Sequence, residues 1–150
     1  MAVPERIPIK HVPGYRTEFA GRWARGQFLG NVFSQADHWA EAENSQYRAE
    51  NRRWFAYLHE FDHDGRYLES TVESPGLGRQ ARDQAILLLQ EWLQDILELA
   101  YGDISIQPFS AEYLGLTFGL ILEDGHGTEW AELYPDRLGF SAPWNGEYDT

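Results

Sequence analysis

The chain has 150 residues, a formal net charge of −12 and no cysteine. This length suits one domain that buries a core without a disulfide or a structural metal, and the missing cysteine excludes disulfides, thiolate zinc sites and cysteine nucleophiles. Because 15% of the residues are aromatic, the composition predicts a folded chain.

The negative charge is concentrated beyond residue 35. Residues 1–35 carry five cations and two acids, a net of +3, whereas residues 36–150 carry seven arginines and 22 acids, a net of −15. Such a field repels nucleic acid and anionic lipid, and it attracts basic partners. We therefore expect no nucleic-acid or membrane partner, and a basic protein as the partner if there is one.

The N-terminal segment is interrupted by Pro4, Pro8 and Pro13. Since proline forbids regular helix and weakens strand pairing, residues 1–14 are predicted to form an extended arm. The segment has no unbroken apolar stretch typical of a signal peptide, and no run is long enough for a membrane span. The expectation is a soluble cytoplasmic protein.

Two strands are predicted next, Tyr15 to Arg25 and Gln27 to Ser34, with Gly26 at the turn. Ser34 and Asp37 have the spacing of a capping box, which predicts that residues 36–50 begin as a short helix.

The stretch HEFDHDG, residues 59–65, combines two histidines with three carboxylates. The alternation from Arg53 to Phe61 is that of a strand, and Asp62 to Gly65 has the residues of a tight turn before a second strand. In that register His59 faces Glu69, which makes them a possible polar site. Zinc needs three or four converging ligands, so we predict no metal site and expect the histidines at the surface.

The apolar stripe from Arg79 to Ala100 predicts one long amphipathic helix. Strands are predicted at Ile104 to Phe109, Tyr113 to Leu122, Thr128 to Tyr134 and Leu138 to Phe140. Gly115 and Gly119 share a strand face, and their missing side chains are expected to let the helix lie close.

The predicted fold is α+β, with an antiparallel sheet of five to seven strands built from hairpins and the helix, about 79–100, packed on one face. Residues 15–140 form the expected single domain. It follows the N-terminal arm, 1–14, and precedes an irregular C-terminal tail, 141–150.

No catalytic motif is recognised: the chain has neither a phosphate-binding loop nor a nucleophile elbow, and no cofactor is expected. Trp130, Glu132 and Tyr134 alternate onto one strand face, which could hold a sugar ring or a cationic ligand, or could be the solvent side of the sheet. The candidate partner-binding residues are Glu123, Asp124, Trp130, Glu132, Tyr134 and Trp144.

Three functions remain open. The first is a non-catalytic module that binds a basic protein partner; small acidic bacterial immunity proteins and antitoxins share this general character, in composition only. The second is a small-ligand-binding protein or hydrolase with a pocket between helix and sheet. The third is a structural subunit of a homo-oligomer, so that both a monomer and a homodimer are compatible with the sequence.

Overall fold

The structure, a computed structural model, describes residues 3–36 and 52–149. These residues form twelve strands, all paired antiparallel, and one helix. In chain order they are β1 (Ile7–Ile9), β2 (Phe19–Trp23), β3 (Gly26–Ala36), β4 (Arg52–Asp62), β5 (Tyr67–Leu77), α1 (Gly78–Gln94), β6 (Ala100–Tyr101), β7 (Ile104–Ile106), β8 (Phe109–Tyr113), β9 (Leu116–Gly125), β10 (Thr128–Tyr134), β11 (Leu138–Phe140) and β12 (Tyr148–Asp149).

The strands form two five-stranded sheets and a two-stranded ribbon. The first sheet has the order β5-β4-β3-β2-β6, the second has the order β12-β11-β10-β9-β8, and β1 pairs with β7 in the ribbon. The predicted combination of antiparallel hairpins and one helix is confirmed, but the prediction of a single sheet is wrong. The C-terminal strands pair only with one another, so they close a sheet of their own.

Two apolar cores separate three layers. The inner core lies between the two sheets and the ribbon, and it includes Leu29, Phe61, Leu120 and Phe140. The outer core lies between the first sheet and α1. Strand β4, which has a neighbour on each side, is buried on both faces from Phe55 to His59. Alternation along this strand therefore does not separate a core side from a solvent side.

The helix is shorter than the predicted 79–100 segment, since α1 ends at Gln94. The amides of Asp95 and Ile96 bond to carbonyls three residues back, which tightens the last turn. Glu98 then takes a positive φ of 58°, and Ala100 leaves the helical path to pair with Arg22 of β2. The C-terminal part of the predicted stripe therefore packs as a turn and a strand.

The turn between β4 and β5 has the predicted form. The backbone N–H of Gly65 donates to the Asp62 carbonyl at 3.0 Å, and Asp62 Oδ1 accepts from the amides of Asp64 and Arg66. Phe61 faces Tyr67 as predicted, but an irregularity follows between Glu60 and Phe61. The register beyond it shifts by one residue, so the predicted pairing of His59 with Glu69 is wrong.

The predicted strand from Tyr113 to Leu122 is also wrong, because a turn at Leu114 and Gly115 divides it between β8 and β9. Gly119 faces the backbone of β8, where an added Cβ would lie 2.2 Å from the Phe109 carbonyl oxygen. The prediction that Gly115 and Gly119 let the helix lie close is therefore wrong. Gly30 of β3 has that role, because its added Cβ would lie 3.0 Å from Leu89 Cδ1 of α1.

Both predicted terminal segments contain a strand. The 1–14 segment includes β1, whose Ile7 and Ile9 are fully buried, and the 141–150 segment includes β12. The predicted helix over residues 36–50 falls outside the described residues, apart from Ala36 at the end of β3. No helix among the described residues is long and apolar enough to cross a membrane.

Candidate functional site

Four of the predicted partner-binding residues meet on the outer face of the second sheet. Trp130 pairs with Glu123 across β9 and β10, and Trp130 Nε1 donates to Glu132 Oε1 at 3.1 Å. The Tyr134 hydroxyl donates to Glu123 Oε1 at 2.7 Å. All four side chains are half-buried, so the predicted alternation does bring them together.

Arg137 completes this outer face and neutralises part of its charge. Its Nε donates to Glu132 Oε2, and its guanidinium carbon lies 4.8 Å from the centroid of the Tyr134 ring. Because these contacts already satisfy both Glu132 and Tyr134, a cationic ligand here would have to displace Arg137.

The other two predicted partner-binding residues lie elsewhere. Asp124 points to the opposite face of β9, where it is exposed and pairs with Glu129. Trp144 packs against the inner core, with a positive φ of 58°. The structure therefore separates these two residues from the outer-face group.

His59 is a core residue, which corrects the expectation of a surface histidine. It is 0% exposed and lies among aromatic rings, with centroids 4.8 Å from Tyr57 and 5.0 Å from Phe109. Glu69 is on the opposite face of the first sheet, so these two residues form no common polar site. Burial lowers the pKa of His59 to about 3, because the charged imidazolium loses its hydration.

The partner of His59 is Ser70. A hydrogen bond of 2.5 Å joins His59 Nδ1 and Ser70 Oγ, and a second of 2.8 Å joins Ser70 Oγ to the Tyr67 hydroxyl. No described residue bonds to the buried His59 Nε2. A general base works best with a pKa near the working pH and with an orienting group. His59 has a pKa of about 3 and no described partner at Nε2, so its bond to Ser70 has the chemistry of a core hydrogen bond.

The pairing shift places two carboxylates opposite each other. Glu60 of β4 and Glu69 of β5 are cross-strand partners on the face that carries α1. Burial, a hydrogen bond to Glu69 and the charge of Glu69 raise the pKa of Glu60 to about 7, against a smaller opposing effect of Arg25. Like charges directly opposite each other destabilise a sheet.

Further carboxylates follow the junction between α1 and β5. Glu73 shares the face of Glu69 by the two-residue period of a strand, while Glu91 and Asp95 lie on the facing side of α1 or just beyond its end. We call this surface the acidic groove, and it comprises Glu60, Glu69, Glu73, Glu91 and Asp95.

Two hollows open along the acidic groove. One, of about 320 Å³, has Glu73 and Glu91 in its lining together with Leu87 and Leu88. The other, of about 190 Å³, is lined by Glu60 and Asp95 and by two tryptophans, Trp23 and Trp92. Aromatic faces beside carboxylates suit a guanidinium or ammonium group, which binds both.

Sequence reasoning missed the acidic groove because its partners are distant in the chain. The apolar stripe that predicts the helix includes Trp92, but it does not indicate that Trp23 lines the same hollow. No glycine or proline marks the irregularity near Leu68, although such residues often do. Because the sequence does not indicate this irregularity, it does not predict that Glu60 and Glu69 are cross-strand partners.

The comparisons assign no family. No protein-family model matches this chain, and neither the curated proteins nor the solved structures contain a significant match. Among residues 3–36 and 52–149, no group of three histidine, aspartate or glutamate residues is placed to hold a metal ion.

Proposed function

We propose that this protein is a non-catalytic binding module that holds a basic segment of another protein in the acidic groove. The observation that carries the proposal is the cross-strand pair of Glu60 and Glu69. Two carboxylates held opposite each other cost stability in the free protein. A cation bound between them removes that repulsion, so part of the binding free energy comes from the fold itself.

The chemistry of the acidic groove supports an arginine-rich or lysine-rich partner. An arginine side chain in the smaller hollow would stack on Trp23 or Trp92 while its N–H groups donate to Glu60 and Asp95. The aliphatic stem of a second basic residue would contact Leu87 and Leu88 in the larger hollow.

The net charge favours the same class of partner. A formal charge of −12 steers a basic protein toward the surface and speeds association. Long-range attraction brings a basic partner to the surface as a whole. The acidic groove is the specific place at which we propose that the partner binds.

Titration with a nona-arginine peptide, followed by amide chemical shifts, tests the proposal. We expect saturable binding, with shifts along β5 and α1, that weakens as salt rises because exposed charges are screened. The double variant Glu60→Gln and Glu69→Gln should bind the peptide at least about tenfold more weakly, since each charged hydrogen bond contributes about 1.5–3 kcal/mol.

The matched control is the double variant Glu112→Gln and Glu129→Gln, which removes two exposed charges from the second sheet. It changes net charge equally but leaves the acidic groove intact, so its affinity should stay close to that of the unaltered protein. Equal weakening in both double variants, or shifts confined to the second sheet, would refute the proposed location.

A further inference from the structure

A second, chemically different cavity lies at the junction of the two sheets. It is an open cleft of about 580 Å³, a size that suits a small ligand. Its lining comes from the loop before β2, the last part of β3, the start of β4 and the turn after β10. The lining residues that matter here are Arg16, Asn31, Ser34, Arg52, Trp54 and Asp136.

Asp136 is fixed in the lining of the cleft by the fold. The hydroxyl of Tyr57, which is 1% exposed, donates to Asp136 Oδ2. Tyr57 belongs to the first sheet and Asp136 to the turn between β10 and β11, so this bond joins the two sheets. Because Tyr57 is buried, its hydroxyl has no access to water as a replacement partner, and the carboxyl group is held in place.

Two arginines give the cleft a positive charge. Arg52 donates from Nε to Ser34 Oγ at 2.8 Å and from Nη2 to the Ser34 carbonyl at 2.9 Å. These two bonds orient the guanidinium, which has five N–H donors in all. Burial raises the pKa of Asp136 to about 6, while the Tyr57 hydroxyl and the charge of Arg16 oppose that rise. Asn31 Nδ2 donates to the Arg16 carbonyl at 3.3 Å, which connects the Arg16 loop to β3.

Aromatic residues form part of the cleft lining, and Trp54 is one of them. The rings of Tyr15 and Phe33 also line the cleft, so flat apolar surface lies beside the donors.

We infer that this cleft binds a small organic anion, whose carboxylate or phosphate group meets Arg16 and Arg52 while an attached planar ring lies against the aromatic lining. Two guanidinium groups outnumber the single carboxyl group of Asp136, although the whole chain carries a formal charge of −12. Arginine forks match both carboxylate and phosphate geometry. This site is independent of the acidic groove, which selects cations.

Calorimetric titration with adenosine 5′-monophosphate and with benzoate, at constant ionic strength, tests the inference. We expect at least one of the two probes to bind at one saturable site. The probe that binds more tightly shows whether the cleft prefers a phosphate or a carboxylate group. Inorganic phosphate should bind more weakly than adenosine 5′-monophosphate, because it lacks the ring. Absence of saturable binding for both ring-bearing probes would overturn the inference.

Two single-charge variants locate the site. Arg16→Gln removes an exposed guanidinium in the cleft, and we expect it to weaken probe binding by about tenfold or more, as expected for a lost charged hydrogen bond. Arg82→Gln, on the exposed face of α1, makes the same charge change and should leave affinity unchanged. Equal weakening by the two variants would reject the cleft as the site.

Asp136→Asn provides a test in the opposite direction. The amide keeps an acceptor for the Tyr57 hydroxyl but removes the negative charge nearest the bound anion, so probe affinity should rise. Circular dichroism confirms that each variant is folded before titration. Lower probe affinity in folded Asp136→Asn would contradict an anion site.

Discussion

His59 is fully buried and hydrogen-bonded to Ser70, and its burial favours a neutral ring. Its pKa falls from 6.5 to about 3 in the folded protein, so below pH 6.5 the unfolded chain binds a proton that the native state does not. The His59 contribution to stability is therefore complete above pH 6.5 and is lost as pH falls toward 3.

We predict that His59→Leu makes stability less sensitive to acid. Between pH 7 and pH 5 the loss of unfolding free energy should shrink by up to about 2 kcal/mol, because each pH unit below 6.5 is worth about 1.4 kcal/mol. Urea denaturation at both pH values measures it. His63→Gln, in the exposed turn, is the control, and an identical acid profile for the two variants would contradict the burial argument.

The burial of His59 shows where sequence reasoning reaches its limit for single residues. The turn from Asp62 to Gly65 was predictable because its chemistry lies within four consecutive residues. The side that His59 faces depended on a sheet formed some 50 residues later in the chain. Period-two alternation identifies the two faces of a strand but does not say which of them another layer will cover.

The β5 strand is the long edge of the first sheet, and it carries the unfavourable pair of Glu69 with Glu60. We predict that Glu69→Lys stabilises the protein by about 0.2–1 kcal/mol near pH 8, because an opposite-charge pair replaces a like-charge pair. The same variant should lose nona-arginine binding. Thermal denaturation and peptide titration measure the two effects.

A suitable control is Glu112→Lys on β8, which faces Thr117 rather than another acid. It should leave both stability and peptide affinity nearly unchanged. If Glu69→Lys were less stable than the control, the repulsion between Glu60 and Glu69 would not be a real cost in the free protein.

The contact between α1 and β3 depends on Gly30. An alanine Cβ at this position would lie 2.9 Å from the Tyr57 carbonyl oxygen and 3.0 Å from Leu89 Cδ1, so β4 or the helix must shift. We predict that Gly30→Ala lowers the free energy of unfolding by about 1–3 kcal/mol, the range for overpacked cores. Denaturant unfolding measures it.

Gly102→Ala is the matched control for Gly30→Ala. No atom lies within 4 Å of its added Cβ, so we expect little change in stability. A comparable loss of unfolding free energy in both variants would indicate a general effect of replacing glycine rather than a specific contact between α1 and Gly30.

The helix was predictable from its apolar stripe, but its end and its neighbours were not. Its C-terminal limit is set by the pairing of Ala100 with Arg22, which is a contact between distant parts of the chain. The turn at Leu114 was missed because leucine rarely adopts its positive φ of 54°. Tertiary contacts therefore decided the element boundaries that local preference could not.

The three layers of the molecule predict a single cooperative unit. Ile9 of β1 is fully buried in the inner core, which both sheets share. We expect Ile9→Ala to cost about 2–5 kcal/mol and to shift the unfolding midpoint equally for tryptophan fluorescence and for far-ultraviolet circular dichroism. Separate midpoints would show that the layers unfold independently.

The control for Ile9→Ala is Leu97→Ala, because Leu97 is 70% exposed and its truncation leaves no cavity. Its midpoint should remain close to that of the unaltered protein. A large shift in this variant would show that the turn after α1 has a packing role that its exposure does not suggest.

The ribbon joins the beginning of the chain to its later part. Arg6 donates to the carbonyl of Ser105, 99 positions away, and the amide of Lys10 donates to the Gly146 carbonyl at 3.0 Å. During translation, at about 5–20 residues per second, β1 waits on the order of 5–20 s for its partner strand. Strand β1 thus leaves the ribosome with two isoleucines, Ile7 and Ile9, before its partner strand has been made, and a chaperone that shields them would have most of that interval in which to act.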